Sequence, residues 1–337
     1  MDRRAFLTAA AASSLVTASA HVGAQAQQPT PRRFGEAAAF SASRNGAAFL
    51  VARHGVILAE DYPGSTPAAR LPIGAGTRMF APLMAASLID DRLLSLDEPV
   101  ALTIGDWGAH PVKQTISIRA LLNGTSGIFF PPRMERTLAN AITMEPGAAP
   151  GERFSSDAAA YLIFSEIVRR KLEASGRAPD PARYLTDRTL APIGAVPIGW
   201  GRTAEGTRLD DGVEISARSW AQAGELIRRQ GVWRAQRLAN ERALQEAVLG
   251  SFAEARAGFG LWLAAPGRSG ALDVESDLWS GRSPAPPDLA MTAGAGGQRL
   301  YISPTTGLVA VRQSRNRDDR APWSDAQFLT LIFRDLY

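Results

Sequence analysis

The sequence "AGTRMFAPLMAASLIDDRLLSLDEPV", residues 75–100, is the starting point for the fold prediction. Its apolar residues recur at the three- and four-residue spacing of one helix face over residues 78–92, which predicts a helix that ends before "SLDEPV". Pro82 lies inside this pattern and removes one backbone hydrogen bond, so a bend or a restart is expected there. The stretch therefore predicts a helix near Arg78 whose first turn is irregular.

The segments on either side of this helix predict one mixed domain. Upstream, "AAFLVARHGVILAEDY" (47–62) has two apolar runs around a short turn, which is typical of an antiparallel hairpin. Further helices are predicted within residues 115–129, 156–176, 216–231 and 324–336, and further strands within 259–265, 297–303 and 307–314. We therefore predict an α+β fold of three layers, in which an antiparallel sheet formed by the N- and C-terminal segments is flanked by helices. A mainly helical lobe, roughly residues 85–250, is inserted between the sheet segments.

The first residues predict an export signal. Arg3 and Arg4 precede a mildly apolar, alanine-rich segment that ends in "AQA" near residue 26, as in signals of the twin-arginine type. We expect residues 1–26 to be removed, residues 27–45 to form a linker and a first helix, and the domain to span 46–337. The alternative is an amphipathic helix of the folded domain. The predicted location is the periplasm or the exterior, without a permanent membrane span, because the segment is too short and too weakly apolar.

Composition excludes several classes of function. The chain has no cysteine, only three histidines and a formal net charge of +4, and its only lysines are Lys113 and Lys171. No basic run with interleaved aromatic residues is present, so no nucleic-acid partner is expected. The aspartate pairs in 89–92, 209–212 and 317–320 each lie beside arginine and indicate surface ion pairs. We therefore predict no metal site and no cofactor.

Seven segments in series resemble the serine β-lactamase and penicillin-binding-protein-like hydrolases. The resemblance runs from about residue 46 to the C-terminus and is closest to the class C-related branch, which includes esterases, D-amino-acid peptidases and nylon-oligomer amidases. The segments are "VARHGVILAEDY", "GTRMFAPLMAASLIDDRLLSLDEPV", "TISIRALLNGTSGI", "PGERFSSDAAAYLIFSEIV", "LAPIGAVPIGW", "ISARSWAQAGELI" and "AGAGGQRLYISPTTGLVAVRQS". The resemblance implies the β-lactamase/transpeptidase fold.

The catalytic pair of that family does not occur in this chain. The resemblance places its Ser-x-x-Lys pair, one helical turn apart and facing one cleft, at Ala75 and Arg78. A methyl group cannot attack a carbonyl carbon, and an arginine stays protonated near neutral pH. Thr77 lies two positions after Ala75, about 200° around a helix, and is expected to face away from the cleft.

Two further family elements are also changed. Where a tyrosine that shuttles the proton is implied, the chain has Ser155, Ser156 and Asp157, and Tyr161 is interpreted as an apolar-face residue of the next helix. Where Lys-x-Gly or His-x-Gly is implied on an edge strand, the chain has Gly294, Ala295, Gly296 and Gly297. The candidate cleft residues are therefore Arg78, Ser156, Asp157 and 294–297.

Three functions remain open. The leading hypothesis is an exported, non-catalytic protein that binds a small acyl, peptide or carboxylate ligand, with Arg78 pairing to a carboxylate. Arg78 could instead pair with Asp157 inside the protein. The second hypothesis is an active esterase or amidase with a non-standard nucleophile, such as Thr77 or Ser156. The third is a partner subunit of an active paralogue.

Overall fold

A six-stranded antiparallel sheet forms the centre of the computed structural model, which describes residues 33–266, 272, 274–315 and 322–337. The strands are β1 Gly46–Arg53, β2 Val56–Asp61, β3 Leu71–Pro72, β4 Ile198–Gly199, β5 Arg202–Thr203, β6 Gly206–Thr207, β7 Glu214–Ile215, β8 Val232–Trp233, β9 Gln236–Arg237, β10 Trp262–Leu263, β11 Ala290–Gly294, β12 Gln298–Ser303 and β13 Leu308–Ser314. The central sheet has the order β10-β11-β12-β13-β1-β2. β1 pairs antiparallel with β13, so the N- and C-terminal segments share one sheet.

Helices cover both faces of this sheet. They are α1 Gly35–Ala42, α2 Phe80–Asp90, α3 Ile118–Leu122, α4 Leu138–Thr143, α5 Ala159–Ala174, α6 Pro181–Leu185, α7 Ala217–Arg228, α8 Glu241–Ala247 and α9 Asp325–Leu336. α1 and α9 pack on one face around Phe49 and Phe328, while α7 packs on the other face, where Trp220 joins the larger core. β1, β12 and β13 are buried almost throughout because both of their faces are covered. The predicted three-layer α+β architecture is confirmed.

Between β2 and β10 the chain forms α2 to α8 together with three small antiparallel sheets of two-residue strands, with the orders β3-β7-β4, β5-β6 and β8-β9. No helix among the described residues combines the length and the apolar character that crossing a membrane requires. The predicted signal at 1–26, the linker as far as residue 32 and the aspartate pair at 318–319 lie outside the described residues.

The helix predicted from residue 78 begins differently from the expectation. A 3-10 helix at Gly74–Met79 runs directly into α2, and Pro82 is the third residue of α2. A proline is tolerated there because the first backbone N–H groups of a helix have no acceptor within it. A 3-10 helix has three residues per turn, so side chains three positions apart are aligned. Ala75 and Arg78 therefore lie on the same side of this turn.

Candidate functional site

A cavity of about 70 Å³ lies where the 3-10 turn at 74–79 meets β11, the segment before α5 and the loop before β10. On this measure one water needs roughly 10–15 Å³, so the cavity has room for about five waters or one small organic group. Its walls combine polar and aromatic side chains with glycine backbone. The lining residues are Ala75, Arg78, Asn123, Gly124, Phe154, Ser155, Ser156, Tyr161, Ala257, Gly258, Gly260, Leu261, Trp262, Val274, Thr292 and Ala293.

Arg78 is the charged residue among those lining residues. Its Nη1 donates a hydrogen bond of 2.6 Å to the backbone oxygen of Ser156, and its guanidinium carbon lies 5.0 Å from the centre of the Tyr161 ring. Its Nε is buried and has no hydrogen-bond partner, and within the described residues no carboxylate pairs with the guanidinium. A buried donor without an acceptor costs free energy. Arg78 therefore has one unused donor, and its guanidinium lines the cavity without a carboxylate partner among the described residues.

Ala75, which the sequence resemblance placed at the nucleophile position, lines the cavity beside Arg78. Thr77 is fully buried and does not line it. The Thr77 hydroxyl donates to the Gly74 backbone oxygen at 2.7 Å and accepts from the Val213 backbone N–H at 3.1 Å. Both hydrogen bonds stabilise the turn, so this hydroxyl is not available as a nucleophile in the cavity.

Of the residues expected to replace the family's tyrosine, Ser155 and Ser156 line the cavity but Asp157 does not. The Asp157 carboxylate accepts a 2.8 Å hydrogen bond from the Ala159 backbone N–H at the start of α5. Short acidic side chains satisfy such N-terminal donors well, which explains this orientation. The predictions that Asp157 lies in the cleft and that it pairs with Arg78 are not borne out by this geometry.

The glycine-rich segment at 294–297 is also placed differently from the expectation. It forms the turn between β11 and β12 instead of an edge facing the cavity, and none of Gly294, Ala295, Gly296 and Gly297 lines the cavity. Buried Arg312 donates to the Gly296 backbone oxygen at 2.5 Å, and buried Arg299 contacts that of Gly294 at 3.5 Å. Arg299 lies on β12 and Arg312 on β13, so both hydrogen bonds tie the turn to the central sheet. The cavity wall is made instead by Thr292 and Ala293, earlier on β11.

Tyr161 was expected only as an apolar-face residue of α5, yet its ring belongs to the core and also lines the cavity. Burial raises the pKa of its phenol, while the Arg78 charge and the Gly260 backbone act in the opposite direction. The phenol is therefore neutral near neutral pH and cannot serve as a ready base. The sequence pattern was ambiguous, because a tyrosine on the apolar face of a helix is more often a core residue than a binding-site residue.

Asn123 and Thr292 add an amide and a hydroxyl to the cavity lining. The Asn123 carbonyl oxygen accepts two bonds from Thr125, which leaves its amide nitrogen as the group available to a ligand. The Thr292 hydroxyl donates to the Gly76 backbone oxygen at 3.3 Å. Together with Arg78, this amide favours a ligand that presents acceptors, as a carboxylate does.

No described histidine or lysine reaches the cavity. His110 pairs with Glu145 at 2.9 Å, and the Lys113 ammonium caps α4 by donating to the Ile142 and Thr143 backbone oxygens. Among the described residues, no group of three histidine or acidic side chains is arranged to hold a metal ion. Asp91 pairs instead with Arg177 and Arg188.

Gly260 fixes the loop that closes the cavity over Arg78. It has φ +68°, and an added Cβ would lie well inside van der Waals contact with the Arg78 backbone oxygen. We expect Gly260→Ala to lower the free energy of unfolding by about 2–3 kcal/mol, through backbone strain and this collision. The change is measured by urea denaturation.

The matched control is Gly281→Ala. Gly281 has φ +75° with no atom within 4 Å of the added Cβ, so it reports backbone strain alone, about 1 kcal/mol. Equal losses in the two variants would show that the contact with Arg78 has no cost.

A family model described as Beta-lactamase matches residues 25–328 of the chain. No curated protein sequence gives a significant match.

Three solved structures share the fold at low sequence identity. A penicillin-binding protein homolog from Caulobacter crescentus superposes with a TM-score of 0.68 at 16% identity, covering 90% of this chain and 98% of that chain. A family VIII carboxylesterase gives 0.68 at 14% identity, covering 92% and 99%. EstCE1, a hydrolase with promiscuous acyltransferase activity, gives 0.68 at 15% identity, covering 90% and 97%. Similarity at this level shows a common fold alone.

Proposed function

The chain belongs to the beta-lactamase family, and from this premise we propose that it is a non-catalytic member that binds a small carboxylate-bearing ligand in the cavity at Ala75 and Arg78. The proposal includes export, which the twin-arginine-type sequence at 1–26 supports. Its ligand class is a small acyl, peptide or other carboxylate compound.

The absence of a competent nucleophile and base at the cavity supports the non-catalytic role. Ala75 offers no hydroxyl, and Arg78 cannot accept a proton near neutral pH. The Thr77 hydroxyl is buried and forms hydrogen bonds within the protein. No described lysine or histidine lines the cavity. Covalent catalysis needs a nucleophile within hydrogen-bond reach of a base. Among the described residues the cavity offers no such pair.

The observation that carries the binding role is the Arg78 guanidinium, which lines the cavity without a carboxylate partner among the described residues. One of its nitrogens is held by the Ser156 backbone and its face lies on Tyr161, so the group is positioned in advance. Charge-assisted hydrogen bonds to a carboxylate are among the stronger polar contacts in proteins. A ligand carboxylate would supply the acceptor that Arg78 lacks.

The walls restrict what can accompany that carboxylate. Phe154 and Trp262 pack edge to face with ring centres 6.0 Å apart, and Leu261 and Val274 complete an apolar side. Such a surface favours a short aliphatic or aromatic body, and the volume limits its size. Two structural neighbours are described as a carboxylesterase and an acyltransferase-active hydrolase, and such enzymes handle acyl compounds of this general type.

The decisive experiment for the non-catalytic role is covalent labelling. We expect the purified protein to show no mass increase after incubation with a fluorophosphonate probe or a β-lactam, because no cavity hydroxyl is activated. Intact-mass spectrometry measures this directly, and an active serine hydrolase treated in parallel controls for probe quality. A stoichiometric adduct would contradict the proposal. If peptide mapping placed it on Ser155, Ser156 or Thr77, the alternative of an esterase or amidase with a non-standard nucleophile would be favoured.

A further inference from the structure

A second surface, remote from the cavity, carries three arginines on one short segment. Residues 229–237, here called the arginine hairpin, follow α7 and contain the two-residue strands β8 and β9. Arg229, Arg234 and Arg237 are exposed. Within the described residues none of the three is in an ion pair or donates a side-chain hydrogen bond. No residue of the hairpin lines the cavity.

The hairpin is anchored to the rest of the domain by packing and hydrogen bonds. Trp233 packs its ring partly against the larger core, and the Leu238 backbone N–H donates to the Gly231 oxygen at 2.8 Å. Arg188 donates to the Leu238 backbone oxygen at 3.1 Å from the neighbouring part of the lobe. The three guanidinium groups therefore extend from a fixed backbone and not from a long loop.

The backbone of the hairpin is also strained. Three of the eight described non-glycine residues with positive φ lie here: Gln230, Arg234 and Ala235. A turn of this type favours asparagine and glycine at its two central positions, yet Arg234 and Ala235 occupy them. Strained residues of this kind cluster at functional sites. The strained backbone at the tip of the hairpin therefore indicates that Arg234 has a functional role.

We propose that the arginine hairpin binds the anionic headgroups of a lipid surface. Arginine forms paired hydrogen bonds to phosphate, and its attraction to an anionic membrane adds up over neighbouring cations. A folded protein partner is less consistent with the hairpin, because interfaces of that kind centre on buried apolar anchors. The exposed large apolar residues of the described chain all lie outside 229–237. Contact with the membrane is therefore peripheral and electrostatic.

The test is co-sedimentation, with lipid vesicles, of a chain that lacks residues 1–26, the predicted export signal. We expect binding to phosphatidylcholine vesicles that contain about one third phosphatidylglycerol, and none to pure phosphatidylcholine. Binding should be lost when salt rises from about 0.05 M to about 0.5 M, because salt screens such charges. The triple variant Arg229→Gln, Arg234→Gln, Arg237→Gln should bind at least about tenfold more weakly.

A control triple variant separates the hairpin from net charge. Arg183→Gln, Arg202→Gln and Arg334→Gln remove the same charge at positions already paired with Asp187, Asp180 and Glu36. We expect this variant to bind like the parent. The proposal is overturned if the parent ignores phosphatidylglycerol, if the hairpin variant binds like the parent, or if both triples lose equal affinity. Thermal unfolding establishes that each variant is folded. If the triple hairpin variant does not fold, the single variants Arg234→Gln and Arg237→Gln are tested in its place.

Discussion

Replacing Asp325 with alanine is expected to lower the free energy of unfolding by about 3–5 kcal/mol, because it leaves a buried cation without its counterion. Asp325 begins α9 and is fully buried. Its carboxylate accepts from the Arg299 Nε at 2.9 Å, from the Ser276 hydroxyl at 2.6 Å and from the Trp323 indole at 3.0 Å, and Tyr301 also donates to it. Thermal and urea unfolding measure the loss.

The consequence of this loss extends to the cavity wall. Arg299 also donates to the Glu275 backbone oxygen and contacts the oxygen of Gly294 at the end of β11. Thr292 and Ala293 precede Gly294 on the same strand and line the cavity. We therefore expect Asp325→Ala to weaken ligand binding as well as stability.

Asp277→Ala is the matched control for the buried pair. Asp277 accepts from the Ser324 hydroxyl and from the Ala326 backbone N–H at the same helix start, but within the described residues no arginine forms an ion pair with it. Losing this helix-end contact should cost only about 1 kcal/mol. The double variant Asp325→Leu, Arg299→Met should recover part of the loss, because it removes both charges. If Asp325→Ala cost no more than Asp277→Ala, the buried pair would have no special role.

The same pair predicts how stability depends on pH. Burial opposes ionisation of Asp325, but the Arg299 charge and the hydrogen bonds prevail and lower the pKa of this carboxyl below its usual value. A folded-state pKa below the unfolded value gives stability that is complete above roughly pH 4 and is lost as pH falls through the lowered pKa. The stability difference between the parent and Asp325→Asn should therefore shrink on acidification below pH of about 4.

Replacing Arg78 with glutamine is expected to reduce the affinity for small carboxylates by at least about 30-fold, as happens when one partner of a buried charge pair is truncated. Benzoate and isovalerate, compared with benzamide and isovaleramide, give matched pairs that differ in charge. The parent should prefer the acids, and Arg78→Gln should lose that preference. Calorimetric titration measures both affinities.

Arg153→Gln is the control for this prediction. Arg153 immediately precedes Phe154, is exposed and lies with its guanidinium 4.8 Å from the centre of the Phe129 ring, outside the cavity lining. It should bind the acids like the parent. Arg78→Lys keeps the charge but not the planar fork, so an intermediate loss of about tenfold is expected. Equal affinity of acids and amides in the parent would contradict a carboxylate site.

Much of the fold could be predicted from the sequence because it follows from local chemistry. The two apolar runs around "RHG" predicted the hairpin that became β1 and β2, and the spacing in 216–231 predicted α7. The order of seven segments predicted the beta-lactamase family, which the family model confirms. The 3-10 turn before α2 was less predictable, because propensity and spacing do not separate it from the first turn of an α-helix.

The sequence predicted the site correctly only for residues that are close to each other along the chain. Ala75 and Arg78 are three residues apart on one turn, so spacing alone aligned them. The sequence placed Asp157 and the glycines at 294–297 at the cleft, where the structure does not have them. Their orientation depends on the start of α5 for Asp157 and on Arg312, which is distant in sequence, for the glycines. Gly260 and Trp262 carried no motif, and only their packing on Arg78 and Phe154 identifies them.

The sequence by itself determined the family and the layers of the fold, because periodicity and residue identity are local properties. It also predicted that alanine and arginine replace the family's serine and lysine at 75 and 78. Only the tertiary structure decided that Arg78 lies on Tyr161 without a carboxylate partner among the described residues, and that Asp157 serves a helix end instead. The physical reason is that burial and hydrogen bonding between distant segments set which donors remain unused. Those unused donors define the proposed ligand.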